Sequence, residues 1–182
     1  MRAVPDTDDH AGTPIAARIA VVMGVAGCGK TKVGQALAAR LGWRMIEGDR
    51  LHPSANVQRM SAGLPLTDEH RWGWLDAIGA EIAAAERDRL GAIAACSALK
   101  RKYRDRLRGF AREVLFIHLA IDKATARDRV ASRQGHFMPA SLIDSQFADL
   151  EPPGTDEGAI TLDARQPIAE LVAEALRAFR GG

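Results

Sequence analysis

The chain has 182 residues, enough to bury a continuous core as one domain without disulfides or a structural metal. Apolar residues make up 47% and charged residues 26%, with a formal net charge of +2, a balance that leaves no electrostatic footprint for nucleic acid or an anionic membrane surface. No apolar run approaches the ~18 residues that span a bilayer, and Cys28 and Cys96 lack metal-ligand spacing and allow at most one bridge, so a reducing, cytoplasmic setting is expected.

Met1 to Pro14 carries Pro5, Asp6, Asp8 and Asp9 where a secretory leader needs an apolar stretch, and sets Arg2 against those acids where a mitochondrial presequence is Arg-rich. Residues 1–16 are therefore expected to form a disordered tail before one domain over 17–182. Ile19 to Met23 is a compact apolar run, and after a Gly-rich turn Val33, Leu37 and Leu41 recur at helical spacing, giving strand, loop, helix. Arg44 to Gly48 reads as a weaker second strand. Asp68 to Arg87 reads as a long helix with Leu75, Ile78 and Ile82 on one face, Thr67 as its N-cap and the acids Asp68 and Glu69 in its first turn. Ala92 to Cys96 and Val114 to Leu119 have the unbroken apolar character of buried parallel strands, with a basic helix from Lys100 to Phe110 between them. A helix from Asp122 to Arg133, a turn from Gln134 to Pro139, a last strand at Ile160 to Leu162 and an amphipathic helix through Ile168, Leu171, Val172, Leu176 and Phe179 complete the chain. No segment recurs at a fixed period. The alternation predicts an α/β fold, a five-stranded parallel sheet flanked by helices.

Between the first strand and first helix stands Gly24-Val25-Ala26-Gly27-Cys28-Gly29-Lys30-Thr31, which satisfies G-x-x-x-x-G-K-[ST] in the strand–loop–helix setting that motif requires. The glycines let backbone N–H groups turn inward around an anion at a helix N-terminus, where the dipole favours negative charge. Lys30 adds a mobile cation for the β- and γ-phosphates of ATP, and Thr31 a hydroxyl for Mg²⁺. Cys28 reads as a small passive side chain, a redox-sensitive thiol being the alternative. An ordinary Gly turn would need neither Lys30 nor Thr31.

The loop alone does not separate a kinase from a GTPase, a motor or a regulatory module. Glu47-Gly48-Asp49-Arg50-Leu51-His52-Pro53, then Asn56 and Met60, then Gly63-Leu64-Pro65-Leu66-Thr67-Asp68, followed by Cys96-Ser97-Ala98-Leu99-Lys100, Tyr103-Arg104 and Gly135-His136-Phe137, resemble the blocks of the gluconokinases in their order. The resemblance runs from about Ile19 to the last helix. It implies the three-layer P-loop kinase fold shared with shikimate kinase and the nucleoside monophosphate kinases, with a mobile lid, and transfer from ATP to gluconate to give 6-phosphogluconate. Shikimate or a nucleoside monophosphate as acceptor, or a non-catalytic nucleotide-binding module, are the alternatives.

Asp49 follows the second strand at the carboxyl end, where open α/β sheets gather ligands. A carboxylate there orients the attacking hydroxyl and accepts its proton, the role the resemblance implies; capping the turn at Pro53 is the alternative. Glu47 stands where the family often has Asp, and His70 likewise. Gluconate carries a carboxylate and several hydroxyls, so its candidate contacts are Asp49, His52, Arg71, Lys100, Tyr103, Arg104 and His136. Lys100, Arg104 and Arg71 read equally as solvated helix-surface charges. Arg129 and Arg133, four apart on one helix face, match family arginines of which one covers the adenine and one reaches the phosphates; Arg127 has no such match. The implied lid spans about 122–140 with Gly135 as a hinge. Asp163-Ala164-Arg165-Gln166-Pro167 resembles the adenine-side turn, to which Asp163, Gln166 and Pro167 belong, although Pro167 also suits the first turn of a helix. A homodimer is the expected assembly, dimers being the commonest.

Overall fold

The computed structural model describes residues 18–132 and 139–180, so the predicted tail over 1–16, with Arg133, Gly135 and His136, lies outside the described residues. In chain order the elements are β1 (Ile19–Met23), α1 (Lys30–Leu41), β2 (Arg44–Glu47), α2 (Ser54–Ser61), α3 (Asp68–Arg87), β3 (Ala92–Ala95), α4 (Arg101–Arg108), β4 (Val114–Ala120), α5 (Lys123–Ala131), α6 (Ala140–Asp149), β5 (Ile160–Asp163) and α7 (Ile168–Phe179), with single 3-10 turns at Gly48–Leu51 and Thr155–Glu157. The strands pair in the order β2-β3-β1-β4-β5, every neighbour parallel.

The central strand explains its own composition. Successive side chains of a strand point to opposite faces, and both faces of β1 are covered. Ala20 and Val22 join Leu37, Ile93, Leu119 and Phe179 in one cluster, under α1 and α7. Ile19, Val21 and Met23 join Trp74, Leu75, Ile78 and Phe116 in the other, under α3 and α4. All five β1 residues are buried, which is why the run is unbroken rather than alternating. Among the described residues no helix is long and apolar enough to cross a membrane.

Sequence expectation and structure agree closely where an element has a buried stripe. The long helix occupies Asp68–Arg87, with Thr67 extended as its cap and the Thr67 N–H donating to His70 Nδ1 at 3.2 Å. Strand β2 stops at Glu47 rather than Gly48, because the chain turns at Gly48 into the 3-10 turn, passing so near β3 that a Cβ there would lie 2.4 Å from the Ala95 carbonyl oxygen. Helix α4 is shorter than the predicted Lys100–Phe110: Lys100 is extended at its N-terminus and the helix ends before Gly109. Helices α2 and α6 have no counterpart in the expectation. In α2 only Asn56 is buried, so the segment offers no apolar period to read.

Candidate active site

The loop after β1 turns through residues that need glycine. Gly27 sits at φ +84°, and a Cβ there would approach the Ala126 carbonyl oxygen to 2.7 Å, so no side chain fits between the loop and α5. Cys28 is buried in the core cluster under α1, as a passive residue would be, and Cys28 and Cys96 are both free. Burial pushes the Cys96 thiol up to about 12, which makes it inert. Lys30 Nζ donates to the Val25 carbonyl at 3.0 Å, folded back over the loop. The Ala26 N–H donates to Gln146 Oε1 of α6 at 2.7 Å.

A cleft of about 640 Å³ opens over this loop, lined by Ala26, Gly27, Gly29, Lys30 and Thr31 after β1, Asp49 and His52 after β2, Ser97 after β3, Arg71 of α3, and Leu142, Ser145 and Gln146 of α6. The lining residues follow the carboxyl ends of three adjacent strands, the position expected of a ligand site in this sheet type. Asp49 lies in the 3-10 turn after β2. That turn is fixed from behind, since Trp74 Nε1 donates to the Gly48 carbonyl at 2.8 Å. His52 stacks on the Trp74 ring at 4.2 Å between centroids and 11° between planes. Its pKa is lowered to about 4, first by burial and also by the charge of Arg71, against the opposing pull of Asp49. His52 is therefore neutral at pH 7, one ring nitrogen donating and the other accepting.

Arg71 is 5% exposed yet lines the cleft. Its Nη2 lies 3.6 Å from Asp149 Oδ2, outside hydrogen-bond range, and its Nε is buried without a partner. A buried guanidinium with an unpartnered donor can receive an anion. The residue that sequence placed at even standing between surface and substrate thus faces the cavity.

Other expected contacts are used elsewhere. Arg104 does not reach the cleft: it is fully buried, with Nε and Nη2 donating to Glu157 Oε2 and Oε1 at 2.6 and 2.7 Å and Nη1 donating to the carbonyls of Ala98 and Leu99 at 3.2 and 3.0 Å. All three of its nitrogens are engaged within the protein, which removes it from the substrate wall and also from the solvated face. Lys100 bridges Asp68 and Asp149 at 3.1 Å each, and Tyr103 donates its hydroxyl to Asp68. Burial, with the Asp68 contact, holds the Tyr103 pKa up; the two carboxylates hold that of Lys100 up against the opposing effect of burial; and Lys102, Tyr103 and Lys100 together hold that of Asp68 well below the carboxylate range. Neither Lys100 nor Tyr103 lines the cleft; they stand behind Arg71, whose guanidinium lies 5.6 Å from the Tyr103 ring centre.

At the far side, Arg129 Nη1 donates to the Ala164 carbonyl at 2.9 Å, tying α5 to the turn after β5. Asp163, the last residue of β5, is engaged by Arg165 at 2.7 Å, Pro167 precedes α7, and Gln166 Oε1 is buried without a partner. Arg127, which has no family match, is exposed on α5 and pairs with Asp144 of α6. Gln146 is the site residue that sequence reasoning missed: it sits in a helix without a readable period, 120 positions from the amide it meets.

For Mg²⁺ the donor set fits a loosely held ion. Thr31 lines the cleft and Glu47 Oε2 is buried without a partner. Among the described residues no group of three His, Cys, Asp or Glu side chains could cage a metal. Mg²⁺ characteristically keeps several waters and takes its other ligands from one or two side chains and substrate phosphates.

The family model described as "AAA domain" matches residues 19–153. The gluconokinase of Gluconobacter oxydans (strain 621H) is 46% identical over 167 residues, covering 90% of this chain and 92% of that protein. The crystal structure of a gluconokinase from Sinorhizobium meliloti 1021 superposes with a TM-score of 0.80 at 45% identity, covering 88% of this chain and 90% of the other. Shikimate kinase from Aquifex aeolicus, at 13% identity and a TM-score of 0.61 over 89% of this chain and 96% of the other, shares the fold.

Proposed function

This chain belongs to the gluconokinase family and phosphorylates gluconate with ATP, and we propose that the transfer takes place in the cleft between the glycine loop, Asp49 and Arg71, with the terminal hydroxyl as acceptor and 6-phosphogluconate as product. The observation that supports this reading is the convergence of Lys30, Thr31, Asp49, His52 and Arg71 on one cavity of about 640 Å³, ample for a six-carbon acid beside a nucleotide's phosphate end.

Each residue then has one task. The loop amides and Lys30 hold the phosphates, Lys30 leaving the Val25 carbonyl for the anion, which offers a charged acceptor in place of a neutral one. Asp49 accepts a hydrogen bond from the attacking hydroxyl and then its proton. Neutral His52 donates to or accepts from a substrate hydroxyl while its ring is held on Trp74. Arg71 pairs the carboxylate of gluconate, with Lys100 and Tyr103 supporting that wall. Thr31 and, through water, Glu47 would hold Mg²⁺, which supplies neutralising charge at the phosphate oxygens. Residues 17–182 act as one kinase domain in which 122–140 is the lid, Arg129 and the 163–167 turn serving the adenine side and Arg133 the phosphates. Two free cysteines support a cytoplasmic setting.

The decisive experiment is Asp49→Asn. Loss of the proton acceptor is expected to lower kcat about 10²- to 10⁴-fold with fold and ATP affinity retained. A variant of wild-type kcat would move the base elsewhere and overturn the assignment.

A further inference from the structure

The Ala26 amide, which this reading gives to the nucleotide, already has an occupant. Gln146 Oε1 accepts its hydrogen at 2.7 Å, so a partially negative amide oxygen stands on the loop as a phosphate oxygen would. The arrangement is built from helix α6 rather than offered by a loose surface side chain. Leu142 and Ile143 anchor α6 in the interior, and Asp144 pairs with Lys123 and Arg127 of α5 at 2.8 and 2.5 Å. The Ser141 hydroxyl reaches the Gly63 carbonyl beyond α2 at 3.5 Å. The fold-back of Lys30 onto Val25 is a second internal satisfaction of a phosphate-seeking group in the same loop.

We propose that Gln146 sets the affinity of the nucleotide site by competing with it: its carboxamide oxygen holds the Ala26 amide in the empty enzyme, and a phosphate oxygen of ATP must displace it. The hydrogen bond to Gln146 is exchanged for one to phosphate, and the freed carboxamide turns into the cleft it already lines. Because the competitor is tethered, the free energy of that bond is subtracted from nucleotide binding in every encounter. The inference rests on the glycine loop being the ATP site.

Calorimetric titration of the full chain with MgATP, without gluconate, separates the two claims. Wild-type protein that binds no ATP would defeat the functional reading itself. Given wild-type binding, Gln146→Ala and Gln146→Leu are expected to tighten ATP about two- to tenfold, the equivalent of one neutral hydrogen bond released from competition. Gln146→Glu, which places a carboxylate against the phosphates, is expected to weaken ATP tenfold or more and to regain affinity with added salt. The Leu variant keeps the apolar bulk on α6, so it decides the matter if the Ala variant loosens the helix. ATP bound equally well or more weakly by Gln146→Leu would overturn the proposal.

Discussion

Replacing Glu157 by Gln tests whether Arg104 is a structural ion or a substrate ligand. The carboxylate accepts from Arg104 at 2.6 and 2.7 Å, from Arg108 at 3.2 Å and from the Gly154 N–H at 3.0 Å. The Glu157 side chain is 2% exposed and that of Arg104 fully buried. These partners, Arg104 first, hold the Glu157 pKa at about 2 against an ordinary 4.5. At 1.36 kcal/mol per pH unit this corresponds to about 3 kcal/mol of stability at neutral pH. Breaking a buried pair by removing one charge gives a similar figure of roughly 3–5 kcal/mol. For a chain of this size the expected fall in Tm at pH 7 is about 6–20 °C, read by thermal unfolding. The sign with pH follows from the depressed carboxylate: the contribution is complete above about 4.5 and disappears as pH falls through about 2, so wild type and variant should converge in acid. An Arg104→Met, Glu157→Leu pair should recover much of the loss suffered by Arg104→Met alone, since no charge is then left unpaired. The refuting result is an unchanged Tm together with a tenfold rise in gluconate KM for Glu157→Gln, which would return Arg104 to the substrate wall.

Arg71→Met should raise gluconate KM by roughly 30-fold to several thousand-fold, about 2–5 kcal/mol for a buried charge pair, with ATP KM nearly unchanged; steady-state kinetics with each substrate varied decide it. Gly27→Ala forces a Cβ to within 2.7 Å of the Ala126 carbonyl at a positive φ, so ATP binding should fall at least tenfold in a titration while the β1 core persists. Lys30→Ala should lower both ATP affinity and kcat, since the same ammonium serves ground state and transferred group. His52, neutral in the folded state down to about pH 4 and ordinarily titrating at 6.5, should cost stability as pH falls from 6.5 toward 4 and none above; denaturation of His52→Gln should lack that slope, and an NMR-observed His52 pKa near 6.5 would contradict it.

The legible part of this protein is whatever neighbouring residues decide among themselves. The glycine loop declares itself because backbone N–H groups, a lysine and a hydroxyl must come from consecutive positions to enclose one anion. The helix over Asp68–Arg87 declares itself because a buried face imposes a period on the chain, and the strands β1, β3 and β4 because cover on both faces leaves an unbroken apolar run. Helix α2 does not, burying Asn56 rather than an apolar stripe, with the Asn56 Nδ2 donating to the His70 carbonyl at 2.7 Å.

What an individual polar side chain faces was decided elsewhere. Lys100, Tyr103 and Arg104 stand on one short segment, and family resemblance grouped them with Arg71 as substrate contacts. Tertiary structure divided them: Glu157, 53 positions from Arg104, draws that arginine into the interior; Asp68 and Asp149 claim Lys100 and Asp68 claims Tyr103; Arg71 lines the cleft with its Nε unpartnered. Gln146 meets the loop only because α6 packs beside it. Local sequence carries periods and consecutive donors, since these act over one turn or one strand. The partner of a buried charge is set by which segments the fold brings within 3 Å, and no short window of sequence contains both members of the pair.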